Sequence, residues 1–310
     1  MREATLVTNS LYRLQPWKSM VALACDWLII AIALYFLGRF PSIPLFFVVT
    51  FVIGNRQHAF SMIGHDGIHR LLFKNKTLND LITNIFVVWP LGVSLGGFRN
   101  FHFQHHRLWH SENDPERFAI NRVFGKSFDS PIRPMKLAAT LVADFLGLNF
   151  ITTIKMVNTF ETFNKKKSGL VMAIIFQLSF LVVGYLTDHL IIPLAWFFSS
   201  LSSNLMHVRI RLWMEHVGIQ ETHRTQFPLL INLLFLPHNT SHHWEHHYNM
   251  RVPWYNLPQV RKSTITLDKP ISWDEFWTFH NTNEKKSNHF LREENWNNYQ
   301  NKFKKSFNKT

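Results

Sequence analysis

The chain has 310 residues, 46% of them hydrophobic, with a formal net charge of +13 and a single cysteine. One cysteine excludes a disulfide framework and speaks against a thiolate zinc site or an iron–sulfur cluster. The charge does not indicate nucleic acid as a partner, because the basic residues border long apolar runs rich in Phe and Trp, the profile of a membrane protein with a large cytosolic part.

In chain order, residues 20–37 and 43–64 are the first two segments near the ~20 residues that a bilayer requires. "GRFPS" joins them as a hairpin. Asp26 and Arg56 both fall ~12 Å inside this hairpin by helical rise, close enough either to pair or for Arg56 to snorkel out alone. "HDGIH" (65–69) follows. "LITNIFVVWPLGVSLGG" (81–97) is short and broken by Pro90 and a glycine pair, which suits a re-entrant or interfacial piece. "HFQHHRLWH" occupies 102–110. "LAATLVADFLGLNFI" (137–151) carries Asp144, and "FPLLINLLFLP" (227–237) is too short to span. All three apolar stretches are read as surface-lying, with cytosolic core helices as the competing reading. Residues 169–186 and 190–211, joined by "TDH", form a second hairpin, followed by His216 and "HHWEHH" (242–247). Residues 284–310 read as a flexible, basic, polar tail outside a membrane domain over 1–283.

The expected fold is an all-α integral membrane protein. Four transmembrane helices in two hairpins carry a helical cytosolic cap that holds a His-rich di-metal site. Of the 33 Lys and Arg residues, 14 lie in 65–168, 14 in 207–310 and three before residue 20. By the positive-inside rule those regions, with both termini and every histidine cluster, face the cytoplasm.

Eighteen residues are histidine, and eleven of them fall in the three clusters and His216. Residues four apart on a helix project side by side. His65 with His69, His102 with His105 and His106, and His243 with His246 and His247 all have ligand spacing. Eight imidazoles are too many for one tetrahedral zinc, and suit two ions of iron or manganese with positions left for dioxygen. His216 is the expected ninth ligand. Counted from Pro44 and Pro193, His69 and His216 both rise past the ~30 Å hydrocarbon core to similar heights. His110 is placed beside the site as a support. His58, His189, His207, His223, His280 and His289 receive no metal role. Asp66, Asp114 and Glu245 are candidate acceptors for ring N–H groups, which would fix tautomers; each reads equally as a solvated charge.

HxxxH, HxxHH and HxxHH in this order, between paired hydrophobic hairpins, resemble the membrane fatty acid desaturase and hydroxylase superfamily over residues ~20–265. "MEHVG" with "THRT", and "HHWEHH" with "VPWYNLPQV", are similar to its bacterial members, which points to a multi-pass protein of a bacterial inner membrane. The resemblance implies a non-haem di-iron centre, dioxygen as co-substrate and an apolar tunnel for an acyl chain. It also implies electrons from an external ferredoxin or cytochrome b5 type carrier with its reductase. The stretch "MEHVG" matches where relatives carry a ligand, in support of His216. Two features depart from the animal acyl-CoA desaturases: the first box is HxxxH, and Leu212 stands where those enzymes place an asparagine. Their acyl-CoA substrate is therefore not carried over. The expected activity is O2-dependent desaturation of a fatty acyl chain. The alternative is a hydroxylase or ketolase of a lipid or carotenoid ring, which "HFQHH" followed by "NDPE" encourages. A metal transporter is a remote third reading, since its ligands should lie within the spans.

Overall fold

The computed structural model describes residues 8–109, 111, 113–125, 133–164, 167–216, 222–265 and 270–282, excluding the side chains of the last four. Helices α1 (Pro16–Arg39) and α2 (Ile43–Ile68) form the first hairpin. Proline stands in the first turn of each, where a missing N–H costs nothing. The Ser42 hydroxyl accepts from the Leu45 N–H as α2 begins. Leu23, Ile30 and Leu37 of α1 and Val49, Ile53 and Phe60 of α2 belong to one buried cluster. Their close packing supplies the cohesion of the pair. Asp26 and Arg56 do pair, with Arg56 Nη1 donating to Asp26 Oδ1 at 2.9 Å. A third partner joins them: His238 Nε2 lies 2.7 Å from Asp26 Oδ2.

Helix α3 (Lys76–Thr83) runs into a π-helical stretch, Asn84–Val88, and a turn before α4 (Leu95–Leu108). The expected interfacial segment 81–97 is therefore divided among several short elements. Its irregular backbone is covered by protein: Gln177 Nε2 donates to the carbonyls of Trp89 and Pro90 at 3.0 and 2.7 Å. That is how non-helical backbone survives away from water. Helix α5 (Pro115–Phe124) follows, then α6 (Pro134–Phe145) and α7 (Phe150–Glu161), bent 81° from each other. Gly147 makes this bend with a φ of +75°, a conformation that glycine adopts freely. Buried Asp144, in the last turn of α6, is met by Arg209, with Nη2 donating at 2.9 Å. The segment 137–151, expected to lie on the surface, is thus the elbow of a bent helix pair.

Helix α8 (Ser168–Leu186) turns an apolar flank outward, including Ile174, Leu178, Val182 and Leu186. Exposure on that scale marks a lipid-facing surface. The expected fourth span, 190–211, is not one helix. It is α9 (Ile191–Leu201) and α10 (Ser203–His216), interrupted at Ser202. Ser199, Ser202 and Ser203 are buried there. Gly54 of α2 lies so close to Ser203 and the Asn204 backbone that any added Cβ would collide, so the break sits where two backbones touch. Helices α11 (Leu229–Phe235), α12 (His243–Tyr248), α13 (Leu257–Ser263) and α14 (Trp273–Thr282) complete the chain.

Among the described residues the fold is all-helical, with one isolated bridge between Thr225 and Ile271. By length and composition α1 and α8 can cross a membrane, and the bent pair α6–α7 would be a third crossing if it acts as one span. Helix α2 is longer than either, but "NRQH" interrupts its apolar run. The tail 284–310 lies outside the described residues.

Candidate metal centre

Four helices bring nine histidines to one place. The last turn of α2 and its C-cap present His65 and His69, α4 presents His102, His105 and His106, α10 ends on His216, and α12 supplies His243, His246 and His247. They divide into two groups, each with its ligand atoms within 4.8 Å of one another. One holds His65, His69, His102, His106 and His246, and the other holds His105, His216, His243 and His247. Pairs four residues apart stay together, as helical geometry requires. The third member of each HxxHH box crosses to the other group.

The ring nitrogens meet edge to edge. In the first group, His102 Nε2 lies 3.0 Å from His69 Nε2 and 2.8 Å from His106 Nε2, which in turn lies 3.0 Å from His246 Nε2. In the second, His247 Nε2 stands 3.2 Å from His105 Nε2 and 2.9 Å from His243 Nε2, and the latter is 3.2 Å from His216 Nε2. A neutral imidazole nitrogen either donates one proton or accepts. In each chain of contacts one of the two middle nitrogens would have to send a single proton in two directions. Hydrogen bonding therefore does not account for the arrangement. Metal coordination does: with bonds of ~2.1 Å, neighbouring ligand atoms stand ~3.0 Å apart at right angles and ~3.4 Å apart in a tetrahedron. His65 Nε2, buried and without a hydrogen-bond partner, suits the same coordination. The residues fit two metal ions.

The electrostatics agree. Burial lowers His69 and His216 to about 4 and His106 to about 3. It also holds His102, His243, His246 and His247 well below the usual histidine value. These rings are neutral at neutral pH, the form that binds metal. His105 differs: burial opposes its charge, but the Glu116 and Asp114 carboxylates prevail and push it up to about 10.

The proposed supporting residues separate. Asp114 takes the expected part, with its two oxygens 2.9 and 3.0 Å from His105 Nδ1. Asp66 does not touch a ring; it accepts from the Trp254 backbone N–H at 3.0 Å and so fastens α2 to the segment before α13. Glu245 likewise faces away from the histidines. It takes Arg224 Nε at 2.7 Å and Arg261 Nε at 2.8 Å, which anchors α12 from behind. Neither carboxylate is a solvated charge, since both are buried. His110 lies outside the described residues. His207 belongs to neither group; its Nδ1 lies 2.7 Å from the Ser203 carbonyl and its Nε2 3.1 Å from that of Leu234.

Two acidic residues were missed. Glu116 Oε2 sits 3.0 Å from His105 Nε2, and Glu215 Oε1 sits 3.5 Å from His243 Nδ1 while bonded to Arg211. Glu116 belongs to the "NDPE" stretch already singled out, and Glu215 directly precedes His216, so proximity to the boxes was the available signal.

A largely apolar cavity reaches the centre. Leu91, Val93, Phe98, Phe101, Phe160 and Leu212 form much of its wall, and His65, His102 and Glu116 stand in its lining. A family model described as fatty acid desaturase matches residues 41–267 of the chain. A search of curated proteins returned no match.

Proposed function

Since the chain belongs to the fatty acid desaturase family, we propose that it is an O2-dependent di-iron membrane oxidoreductase that introduces a double bond into a fatty acyl chain. The observation that carries the reading is the apolar cavity whose wall includes His65 and His102 of the five-histidine group. That group would hold one ion, and His105, His216, His243 and His247 the other. Bound iron supplies the redox chemistry, in which dioxygen, two electrons and two protons take two hydrogens from adjacent methylenes and leave water. The electrons come from an external ferredoxin or cytochrome b5 type carrier. In this reading α1, α2, α8 and the α9–α10 pair pass through a bacterial inner membrane, with both termini and the centre on the cytoplasmic side.

The chain's own residues do the positioning. Phe98, Phe101 and Phe160 give the cavity an aromatic wall that an alkyl chain can lie against. Fixing a methylene against the histidine groups converts an encounter into a near-unimolecular step. Asp114 keeps the His105 proton on Nδ1 and turns the Nε2 lone pair toward the centre. Arg224 and Arg261 clamp Glu245 and so hold α12, with its three ligands, against α13 and the segment that carries Arg224.

Lipid analysis of a host expressing the protein tests this directly. New double bonds in acyl chains, lost in a His106→Ala control, are the expected result. Hydroxy acids or altered carotenoids in their place would overturn desaturation in favour of hydroxylation or ring oxidation.

A further inference from the structure

We infer that Glu116 is a carboxylate ligand of the second ion, a fifth donor beside His105, His216, His243 and His247. The inference rests on the metal-centre reading above. Helix α5 places the residue. Asp114 caps that helix by accepting the Glu116 N–H at 2.9 Å, which fixes Glu116 in the first turn, facing α4. Its Oε2 lies 3.0 Å from His105 Nε2 and 3.8 Å from His216 Nε2. The first separation equals the ~3.0 Å edge between right-angled ligands, and the second falls between that edge and the ~4.2 Å of opposed ones.

The same atom is buried and has no hydrogen-bond partner. A carboxylate oxygen removed from water without a donor is costly, and a cation is the usual remedy. Asp114 holds His105 from its Nδ1 side and Glu116 meets the same ring at Nε2. A cation seated between Glu116 Oε2 and His105 Nε2 would take the place of a proton joining them.

Charge supports the assignment. Four neutral imidazoles leave the full charge of a divalent ion in a buried site, and one carboxylate halves it. Neither histidine group itself includes a carboxylate, and Glu116 stands at the edge of the second, beside His105 and His216. The two ions would therefore differ, one held by five nitrogens and the other by four nitrogens and a hard anionic oxygen that favours the more oxidised state.

Cobalt(II) titration of the full-length metal-free protein in detergent tests this by absorbance and by counting bound metal, with no turnover required. The wild-type protein should take up two ions per chain. Glu116→Gln should keep one tight ion and bind the other at least ~10-fold more weakly, with the metal-free protein melting at the wild-type temperature. Glu116→Cys should develop a thiolate-to-cobalt charge-transfer band that neither wild type nor Glu116→Gln shows. Two ions bound to Glu116→Gln with wild-type affinity would overturn ligation. So would weakened binding in that variant with no charge-transfer band in Glu116→Cys. A wild-type protein that binds no cobalt would instead overturn the metal centre itself.

Discussion

Two buried polar clusters in this protein look alike by composition and differ in how their atoms are matched. In the first hairpin, Asp26 receives Arg56 on one oxygen and faces His238 on the other, and Arg56 also donates to the Asn55 side chain. Every charge there meets its opposite. At the C-terminal end of α2, eight ring nitrogens crowd together at hydrogen-bond distances that no set of protons can satisfy. Burying a polar group unmatched is expensive. A matched cluster therefore reads as structure, and a mismatched one as a site built for something the polypeptide does not itself supply.

The largest effect should come from the mismatched cluster. His106→Ala removes the nitrogen that touches both His102 and His246. Desaturase activity should fall below detection and bound iron should drop by about one ion per chain, while the protein still inserts and purifies. Retained activity with full iron would place the centre elsewhere.

The matched cluster should respond in stability instead. Asp26→Ala strands Arg56 beside His238, and breaking a buried pair costs about 3–5 kcal/mol. The yield of monodisperse protein should fall sharply, with iron per folded chain unchanged. The charge exchange Asp26→Arg with Arg56→Asp should recover only part of that loss, because the new arginine faces His238. Full recovery would show that His238 contributes nothing.

Next in size is Asp114→Asn, which keeps the shape and weakens the acceptor of His105. Loss of such a partner typically costs 10–100-fold in metal affinity, about 1.4–2.7 kcal/mol. Competition with a chelator would measure it, and an unchanged affinity would reduce Asp114 to a helix cap. The smallest effect on metal is expected for His207→Ala, where iron content should stay near the wild-type value. That ring belongs to neither histidine group, and its nitrogens face the Ser203 and Leu234 carbonyls. Iron loss in this variant beyond the loss of folded protein would mean that the centre extends further into α10.

Much of this was legible in the sequence because it depends on local geometry. The i, i+4 spacing in "HDGIH", "HFQHH" and "HHWEHH" already places pairs of rings on shared helix faces. Counting along α1 and α2 set Asp26 opposite Arg56, which do pair, whereas the count that raised His216 to the height of His69 assumed one helix where the chain breaks at Ser202. Segments 20–37 and 43–64 correspond to helices α1 and α2. The residues that failed did so for a common reason. Asp66 and Glu245 were judged by nearness to histidines in the chain, but a side chain one residue from a ligand points ~100° away on the helix. Their partners, Trp254, Arg224 and Arg261, come from remote segments.

Residue types and periods that act within one helix were therefore determined by the sequence alone: an all-helical chain, apolar segments fit for lipid, and three sets of rings on single faces. Only the tertiary structure decided how those sets combine. Which ring joins which group depends on how α2, α4, α10 and α12 rotate against one another, and no periodicity encodes rotation between helices. The break at Ser202 belongs to the same class. Hydropathy reads 190–211 as one run, but the close approach of Gly54 to Ser203 is a contact across nearly 150 residues of chain. Glu116 is the sharpest instance. Its neighbours in sequence mark it as the start of a helix, and only the packing of α5 against α4 and α10 carries its carboxylate to His105 and His216.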